Sequence, residues 1–346
     1  MKALFFEQHG SLEQLRFGQQ PTPRPGRGEV LVRTEAASIN HLDLYVIGGL
    51  PGVDLEMPHI PGSDGAGVVE EAGPEVEGLK AGDRVMLNAC VWCGRCEFCL
   101  EGEQSQCVRL KILGEHRKGT FAQFFAAPES SLARIPEGVS FQTAAAYSLV
   151  FQTAWRMLAS RCRLQAGQDI FIHGIGGGVA TACLQIAKLA GCRVFVTSSA
   201  QEKLDRALEL GADFAYNYLE TDVVKAVAEE TGKRGVDVVV DSVGNATWVN
   251  SLKMVRRGGK IVTCGATTGP NPATEIRLIF WKQIDILGST MSNAREYEQV
   301  VQLLGQGRLE PVIDRVFPLS EGRQALQYVS DRKQFGKVVL RPEDSP

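Results

Sequence analysis

Neither sign of charge dominates this chain: 37 Lys and Arg stand against 40 Asp and Glu, for a formal charge of -3 and a pI near 6.0. A polyanion-binding surface needs a basic excess that is missing here, so nucleic acid is excluded as the expected partner. Long apolar runs are missing as well. Stretches such as Val236–Val240 are short beside the roughly 18 residues of a membrane-crossing helix. The opening residues, MKALFFEQHG, carry no signal-peptide h-region with a small-residue cleavage site. A cytoplasmic protein without membrane contact is the expectation. Repeats and low-complexity tracts are absent too. What is there is globular: 44% apolar residues, 22% charged and 37 glycines, which excludes a disordered, collagen-like or coiled-coil chain. At 346 residues and 37.6 kDa, two domains are expected.

The texture changes near residue 150. Before it, short β-branched runs (Glu29–Arg33, Gly67–Glu70, Asp83–Leu87) are cut by Gly and Pro, which predicts an antiparallel β domain. After it, buried strands alternate with helical stretches. Strand Ile170–Ile172 leads to helix Val179–Ala190 closed by Gly191, and strand Val194–Val196 leads to helix Gln201–Leu210 closed by Gly211. Then come a helix capped by Thr221 and running to about Glu230, strand Val236–Val240, a helix near Thr247–Val255 closed by Gly258, and strands Lys260–Cys264 and Ile284–Leu287. All-apolar strands alternating with helices demand a parallel sheet covered on both faces, a doubly wound α/β fold. A helix Arg295–Gln306 and an apolar strand Lys337–Leu340 complete the chain.

Between the first strand and helix of that series lies His173-Gly174-Ile175-Gly176-Gly177-Gly178-Val179-Ala180. The literal G-x-G-x-x-G is not met, yet Gly174-x-x-Gly177-x-x-Ala180 keeps a glycine at the turn, one for close approach and a small residue where helix meets strand. Backbone amides of such a turn, with the helix dipole behind Gly178 and Val179, suit the pyrophosphate of a dinucleotide. Glycines serving the turn alone are the plain alternative. The end of the second strand selects the cofactor, because an acid there binds the ribose 2′-hydroxyl of NAD and repels the 2′-phosphate of NADP. Ser198 stands at that position, followed by Lys203, and hydroxyl plus cation favour NADPH over NADH. Glu202 reads as a first-turn helix acid.

Nine cysteines are an odd number, and five of them, Cys90, Cys93, Cys96, Cys99 and Cys107, fall within 18 residues. Such clustering favours metal thiolates over disulfides. Cys93-x2-Cys96-x2-Cys99-x7-Cys107 offers four sulfurs for a closed, structural zinc site. A 4Fe–4S cluster shares the first two spacings but not the last. Cys162, Cys183, Cys192 and Cys264 sit singly among apolar neighbours and read as small buried hydrophobes.

Taken together, the glycine turn and the thiol lobe resemble the medium-chain dehydrogenase/reductase superfamily, which holds the zinc alcohol dehydrogenases and the quinone oxidoreductases. The resemblance spans essentially the whole chain. It implies a GroES-like catalytic domain built from residues 1–150 and 289–346, with the structural zinc lobe at 90–107, a Rossmann domain inserted at 151–288, and an active site in the cleft. It further implies cofactor contacts from Thr153 at the nicotinamide, Cys264 and Gly265 at the carboxamide, and the Asp241-Ser242 turn at the adenosine. Tyr218 and Arg332 look similar to 2′-phosphate contacts. A homodimer or homotetramer joined through the sheet edge near Leu287–Met291 is implied as well.

Departures from the family matter more. Where alcohol dehydrogenases hold a catalytic zinc, the matching positions here are Asn40, Ser63 and Leu149, and amide, hydroxyl and alkyl groups are poor zinc ligands. Without that metal, oxidation of an alcohol lacks its usual alkoxide stabiliser. Reduction of a carbonyl-activated alkene, enoyl thioester or quinone needs only hydrogen-bond donors for the developing enolate. The Asn40-x-x-Asp43-x-Tyr45 pattern resembles zinc-free quinone oxidoreductases, which implies that Asn40 orients substrate or nicotinamide, that Tyr45 donates a hydrogen bond or proton, and that Asp43 assists. Each also has a structural alternative: a loop amide, a cleft wall and an acceptor for backbone groups. The competing expectations are an alcohol dehydrogenase or carbonyl reductase, and a cofactor-binding scaffold without catalysis.

Overall fold

The computed structural model describes residues 1–343. The chain divides into two units, one formed by Met1–Val150 with Ser292–Pro346, the other by Phe151–Met291.

In the second unit six parallel strands lie in the order Phe214–Asn217, Arg193–Ser198, Asp169–Ile172, Val236–Val240, Val255–Thr263, Asp285–Gly288. The first strand in sequence therefore pairs with both the second and the fourth, Ile172 lying opposite Val196 and Val240. Such a reversal of strand order is the crevice-forming point of a doubly wound sheet. The central strands are buried along their whole length, as coverage of both faces requires. Phe171, Phe195, Val239 and Ile261 pack with Val223, Val227 and Leu252 of the covering helices.

Two local expectations need correction here. Asp222, not Thr221, caps helix Val223–Glu230, its carboxylate accepting from the Lys225 amide at 3.1 Å; an Asp one residue nearer the helix reaches the first-turn amide. Gly258 does not close a helix. It lies inside strand Val255–Thr263 at φ +63° and accompanies a register shift.

The first unit carries a seven-stranded sheet. Strands Ile313–Pro318, Lys337–Arg341, Glu29–Ser38, Gly65–Ala72, Arg84–Leu87 and Leu132–Arg134 follow one another, and Phe124–Pro128 also pairs with Glu29–Ser38. All pairs are antiparallel except Ile313–Pro318 with Lys337–Arg341. Its core joins both chain ends: Phe6, Ala37, Ile39, Val46 and Phe121 pack with Leu326, Val338 and Leu340. Two helices, His41–Gly48 and Phe141–Trp155, interrupt what the β texture alone suggests. No helix of the described residues is long and apolar enough to cross a membrane.

Candidate functional site

Strand Asp169–Ile172 delivers the chain to Gly174, whose φ of +67° is the left-handed conformation that glycine adopts without strain. The amides of Gly176 and Gly177 fold back onto the Gly174 carbonyl at 2.9 and 3.3 Å, and the Ile175 amide reaches Thr197 O at 2.8 Å, tying the turn to the next strand. Gly177 caps helix Gly178–Leu189. The amides of Gly178, Val179 and Ala180 have no acceptor inside that helix, so a positive helix end and a run of donors face one place. A Cβ added to Gly177 would meet nothing nearer than Gly174 O at 3.9 Å. This open cradle of backbone amides fits a pyrophosphate, which would be held there by residues 174–180.

At the end of strand Arg193–Ser198 the structure brings Ser198, Lys203 and Tyr218 into one neighbourhood. Ser198 Oγ accepts from the Ala200 amide at 3.2 Å, which leaves its O–H to donate, and Ser198 O accepts from the Tyr218 amide at 3.2 Å. Tyr218 is exposed, and Lys203 lies in the first turn of helix Gln201–Glu209 beside the exposed Glu202. No carboxylate stands at the strand end itself. Arg332 belongs to the other unit, exposed at φ +57° after helix Gly322–Ser330, where its charge acts on His41.

Thr153 is buried, and its hydroxyl has no hydrogen-bond partner among the described residues. The stretch after strand Val255–Thr263 holds Cys264 and the exposed Gly265, whose carbonyl accepts from Thr263 Oγ1 at 3.0 Å. Burial pushes the Cys264 thiol up to about 12. The turn carrying Ser242 is braced by Asp241: Oδ1 accepts from the Val243 and Gly244 amides, both at 3.0 Å, and from Thr247 Oγ1 at 2.8 Å. Asp241 Oδ2 accepts from Ser251 Oγ at 2.7 Å, and Ser251 Oγ lies 2.9 Å from His173 Nε2. With the serine proton given to the carboxylate, Nε2 must be the protonated ring nitrogen.

Burial holds the His173 pKa down at about 4, against the attraction of Asp241. A histidine depressed in the folded state takes up its proton first in the unfolded chain, so stability falls as pH drops from about 6.5 toward 4. At about 1.4 kcal/mol per pKa unit, the loss is on the order of 2–3 kcal/mol. The expected result is a melting temperature that declines less steeply between pH 7 and 4 in His173→Asn than in the parent; equal slopes would refute the assignment.

The first unit contains a buried polar centre. Asn40 precedes helix His41–Gly48, and its amide donates to Asp43 Oδ2 at 2.7 Å while Asp43 Oδ1 accepts from the Gly62 amide at 3.1 Å. Burial raises the Asp43 carboxyl to about 7, opposed by these amides and by Lys337. Asn40 Nδ2 donates to Asp64 Oδ2 at 2.8 Å, and Asp64 Oδ1 accepts from the Leu149 amide at 2.9 Å. Lys337 Nζ donates to Asn40 Oδ1 at 2.6 Å, Ile39 O at 2.8 Å and Asp64 Oδ2 at 3.1 Å. Asp64 thus joins Asn40 and Leu149 beside its neighbour Ser63, whose buried hydroxyl has no partner among the described residues. Amide, hydroxyl and alkyl do not make a zinc donor set, and the strong ligands of the alcohol dehydrogenase pattern are missing from all three positions. One helical turn on, Tyr45 meets the His41 ring edge-on at 6.1 Å, with its hydroxyl buried.

Asp64 and Lys337 are the members of this centre that residue spacing does not reveal. The one available signal is a lysine opening the otherwise apolar run Lys337–Leu340, because a charge at a buried strand position requires a partner.

The four cysteines expected to form a zinc lobe come together. Helix Glu97–Leu100 and the turn Gln104–Gln106 bring Cys93, Cys96, Cys99 and Cys107 together, all four Sγ atoms within 4.8 Å of one another. A tetrahedral Zn–S₄ site has sulfurs about 3.8 Å apart, so the cluster fits the ion. Cys107 Sγ accepts from the amides of Cys93 and Arg109, each at 3.4 Å, and the Arg95 amide leads in holding the Cys93 thiol down at about 6. Cys90 lies outside the set, in the ribbon Cys90–Val91 with Lys111–Ile112.

Two family models match, the alcohol dehydrogenase GroES-like domain over residues 26–137 and the zinc-binding dehydrogenase over residues 178–306. A zinc-type alcohol dehydrogenase-like protein of Schizosaccharomyces pombe is 31% identical, with 99% of each chain covered. The chain belongs to the medium-chain dehydrogenase/reductase superfamily. Within this superfamily it is similar to a crystal structure of an NAD-dependent alcohol dehydrogenase, at 41% identity, a TM-score of 0.95 and 99% coverage of both chains. An acryloyl-coenzyme A reductase of Sulfurisphaera tokodaii is 28% identical, over 96% of this chain and 98% of its own. This medium-chain dehydrogenase/reductase is an NAD(P)-dependent oxidoreductase.

Proposed function

We propose that this reductase delivers hydride from NADPH to the β-carbon of an α,β-unsaturated carbonyl compound, an enoyl thioester or a quinone, without a catalytic zinc. The polar centre carries this reading: Asn40, Ser63 and Leu149 stand where zinc ligands would be, and the Lys337 ammonium is lodged against Asn40 and Asp64. A reduced nicotinamide supplies the hydride. Asn40 meets the carbonyl oxygen as negative charge develops on it, Tyr45 gives the proton that completes the reduction, and Asp43 holds the Asn40 backbone in place. Thr153, Cys264 and Gly265 contact the nicotinamide end, Gly174, Gly177, Gly178 and Val179 the pyrophosphate, and Ser242 the adenosine. The likeness to the 28% identical acryloyl-coenzyme A reductase supports the substrate class.

The test is a panel of NADPH and NADH against an enone, an enoyl thioester, a quinone and a primary alcohol, with zinc counted per chain. One zinc and turnover of the activated alkenes or quinone are expected. Two zincs with alcohol oxidation would establish the rival reading, an alcohol dehydrogenase, which the 41% identical neighbour favours.

Ser198, Lys203 and Tyr218 form the 2′-phosphate site in this reading. Lys203→Glu is expected to weaken NADPH by about tenfold or more and NADH much less, since only the former presents a dianion to the new carboxylate. Equal effects in fluorescence titrations would remove the preference for NADPH.

We also read strand Asp285–Gly288 as the homo-oligomer surface of a cytoplasmic dimer or tetramer. It ends its sheet with Ile286 exposed, and the preceding helix Ile276–Lys282 exposes Ile276, Phe280 and Trp281.

A further inference from the structure

Buried lysines are rare because an ammonium removed from water must be answered by acceptors. Lys337 is 3% exposed, and its three protons meet Ile39 O, Asn40 Oδ1 and Asp64 Oδ2. None is left for a substrate, so any influence of this charge on chemistry passes through a neighbour. Strand pairing fixes which one. Val339 lies opposite Ser38 and Leu340 opposite Ala37, and the same register carries Lys337 to Asn40.

The Asn40 amide is held at both ends. Its oxygen faces an ammonium at 2.6 Å, and one Nδ2 proton faces the Asp64 carboxylate, itself 0% exposed, at 2.8 Å. Rotating the amide by half a turn would set NH₂ against the ammonium and oxygen against the carboxylate, so a single orientation survives. That orientation leaves the second Nδ2–H, which has no acceptor among the described residues, as the one uncommitted donor of the amide. An ammonium on the amide oxygen draws electron density from the nitrogen and makes the remaining N–H a stronger donor, because linked hydrogen bonds polarise one another.

We propose that Lys337 is a positioning residue of the reaction: its ammonium orients and polarises the Asn40 amide, and the remaining Asn40 N–H is the donor that meets the substrate carbonyl oxygen. The inference rests on the reduction proposed above, whose developing enolate calls for such a donor. Asp64 completes the device by balancing the charge, so a polarised donor is presented without a net cation that would hold the anionic product.

The test is a thermodynamic cycle on the full-length enzyme with NADPH and the best activated substrate of the panel. Lys337→Met alone strands the Asp64 carboxylate and can unfold the unit, so the working variant is Lys337→Met with Asp64→Asn, which removes both charges. It is expected to keep NADPH affinity and to change KM less than about threefold while kcat falls about 30-fold. Asn40→Ala is expected to lower kcat about 100-fold, the scale of one lost oxyanion donor. In the Asn40→Ala background the Lys337→Met/Asp64→Asn pair should then reduce kcat no further, since the effects of residues acting through one group do not add. Lys337→Arg, which restores a cation, should recover at least a tenth of the parent kcat. Parent-like kcat in the charge-free pair, or effects that multiply in the Asn40→Ala background, would overturn the role of Lys337 while leaving the reaction intact. A parent enzyme that reduces no activated alkene or quinone would instead overturn the reaction itself, and this role with it.

Discussion

Gly177→Asp is expected to weaken binding of both NADPH and NADH about 100-fold or more while leaving the melting temperature within a few degrees of the parent. The backbone at Gly177, φ -80° and ψ 149°, is open to any residue, and an added Cβ has 3.9 Å of clearance to its nearest neighbour. Aspartate is also among the favoured residues at a helix N-cap, so the fold loses nothing. What changes is the sign of charge offered to the pyrophosphate. Like charges about 5 Å apart at an effective dielectric near 20 repel by about 3 kcal/mol, which is a little more than the 100-fold stated. Gly177→Ala, which adds bulk without charge, should have a smaller effect. Fluorescence titration decides it, and a Kd within threefold of the parent for Gly177→Asp would show that the cradle is not the phosphate site.

Loss of zinc is expected to have the largest effect on stability. Residues 93–107 have few apolar contacts to hold them: Leu100 is 76% exposed, and the ribbon at the base of the lobe is only two residues long on each side. Structural zinc contributes on the order of 10 kcal/mol to the folding of small thiolate domains, so a lobe without it has no means of keeping its shape. Cys99→Ser is expected to abolish zinc binding at the lobe, open the lobe to proteolysis within residues 91–111 and lower the melting temperature by about 10 °C. Metal analysis and mass mapping of limited digests test this. A variant that retains a full zinc, or a lobe as resistant as the parent's, would refute four-thiolate coordination.

What could be read from the chain beforehand follows the range of the interactions concerned. The zinc cysteines lie within 15 residues, so their spacing alone announces the site. Strand Val236–Val240 is an uninterrupted apolar run, and a strand buried on both faces has no other pattern to show. Helix His41–Gly48 is the opposite case, because the short segment HLDLYVIG mixes polar and apolar residues without a clear stripe. Its start, Asn40-x-x-Asp43, is both a helix-capping pattern and a candidate for chemistry, and the structure shows the backbone bonds of the first kind. The polar centre is least legible. Lys337 reaches Asn40 across 297 residues and Asp64 across 273, and no local pattern announces a contact made through the pairing of two strands so far apart. Arg332 shows a related limit: its charge is plain in the sequence, but its placement on the unit with His41 is a matter of tertiary structure.

Synthesis from the N-terminus gives the discontinuous first unit a consequence in time. Residues 1–150 leave the ribosome with strand Glu29–Ser38 still lacking its partner Lys337–Arg341, which lies about 300 residues further along the chain. Throughout that interval Asn40 and Asp64 have no ammonium to bind, and water must solvate them. The polar centre therefore cannot close before Lys337 has been made, and a chain cut short of that residue leaves Asn40 and Asp64 without their ammonium.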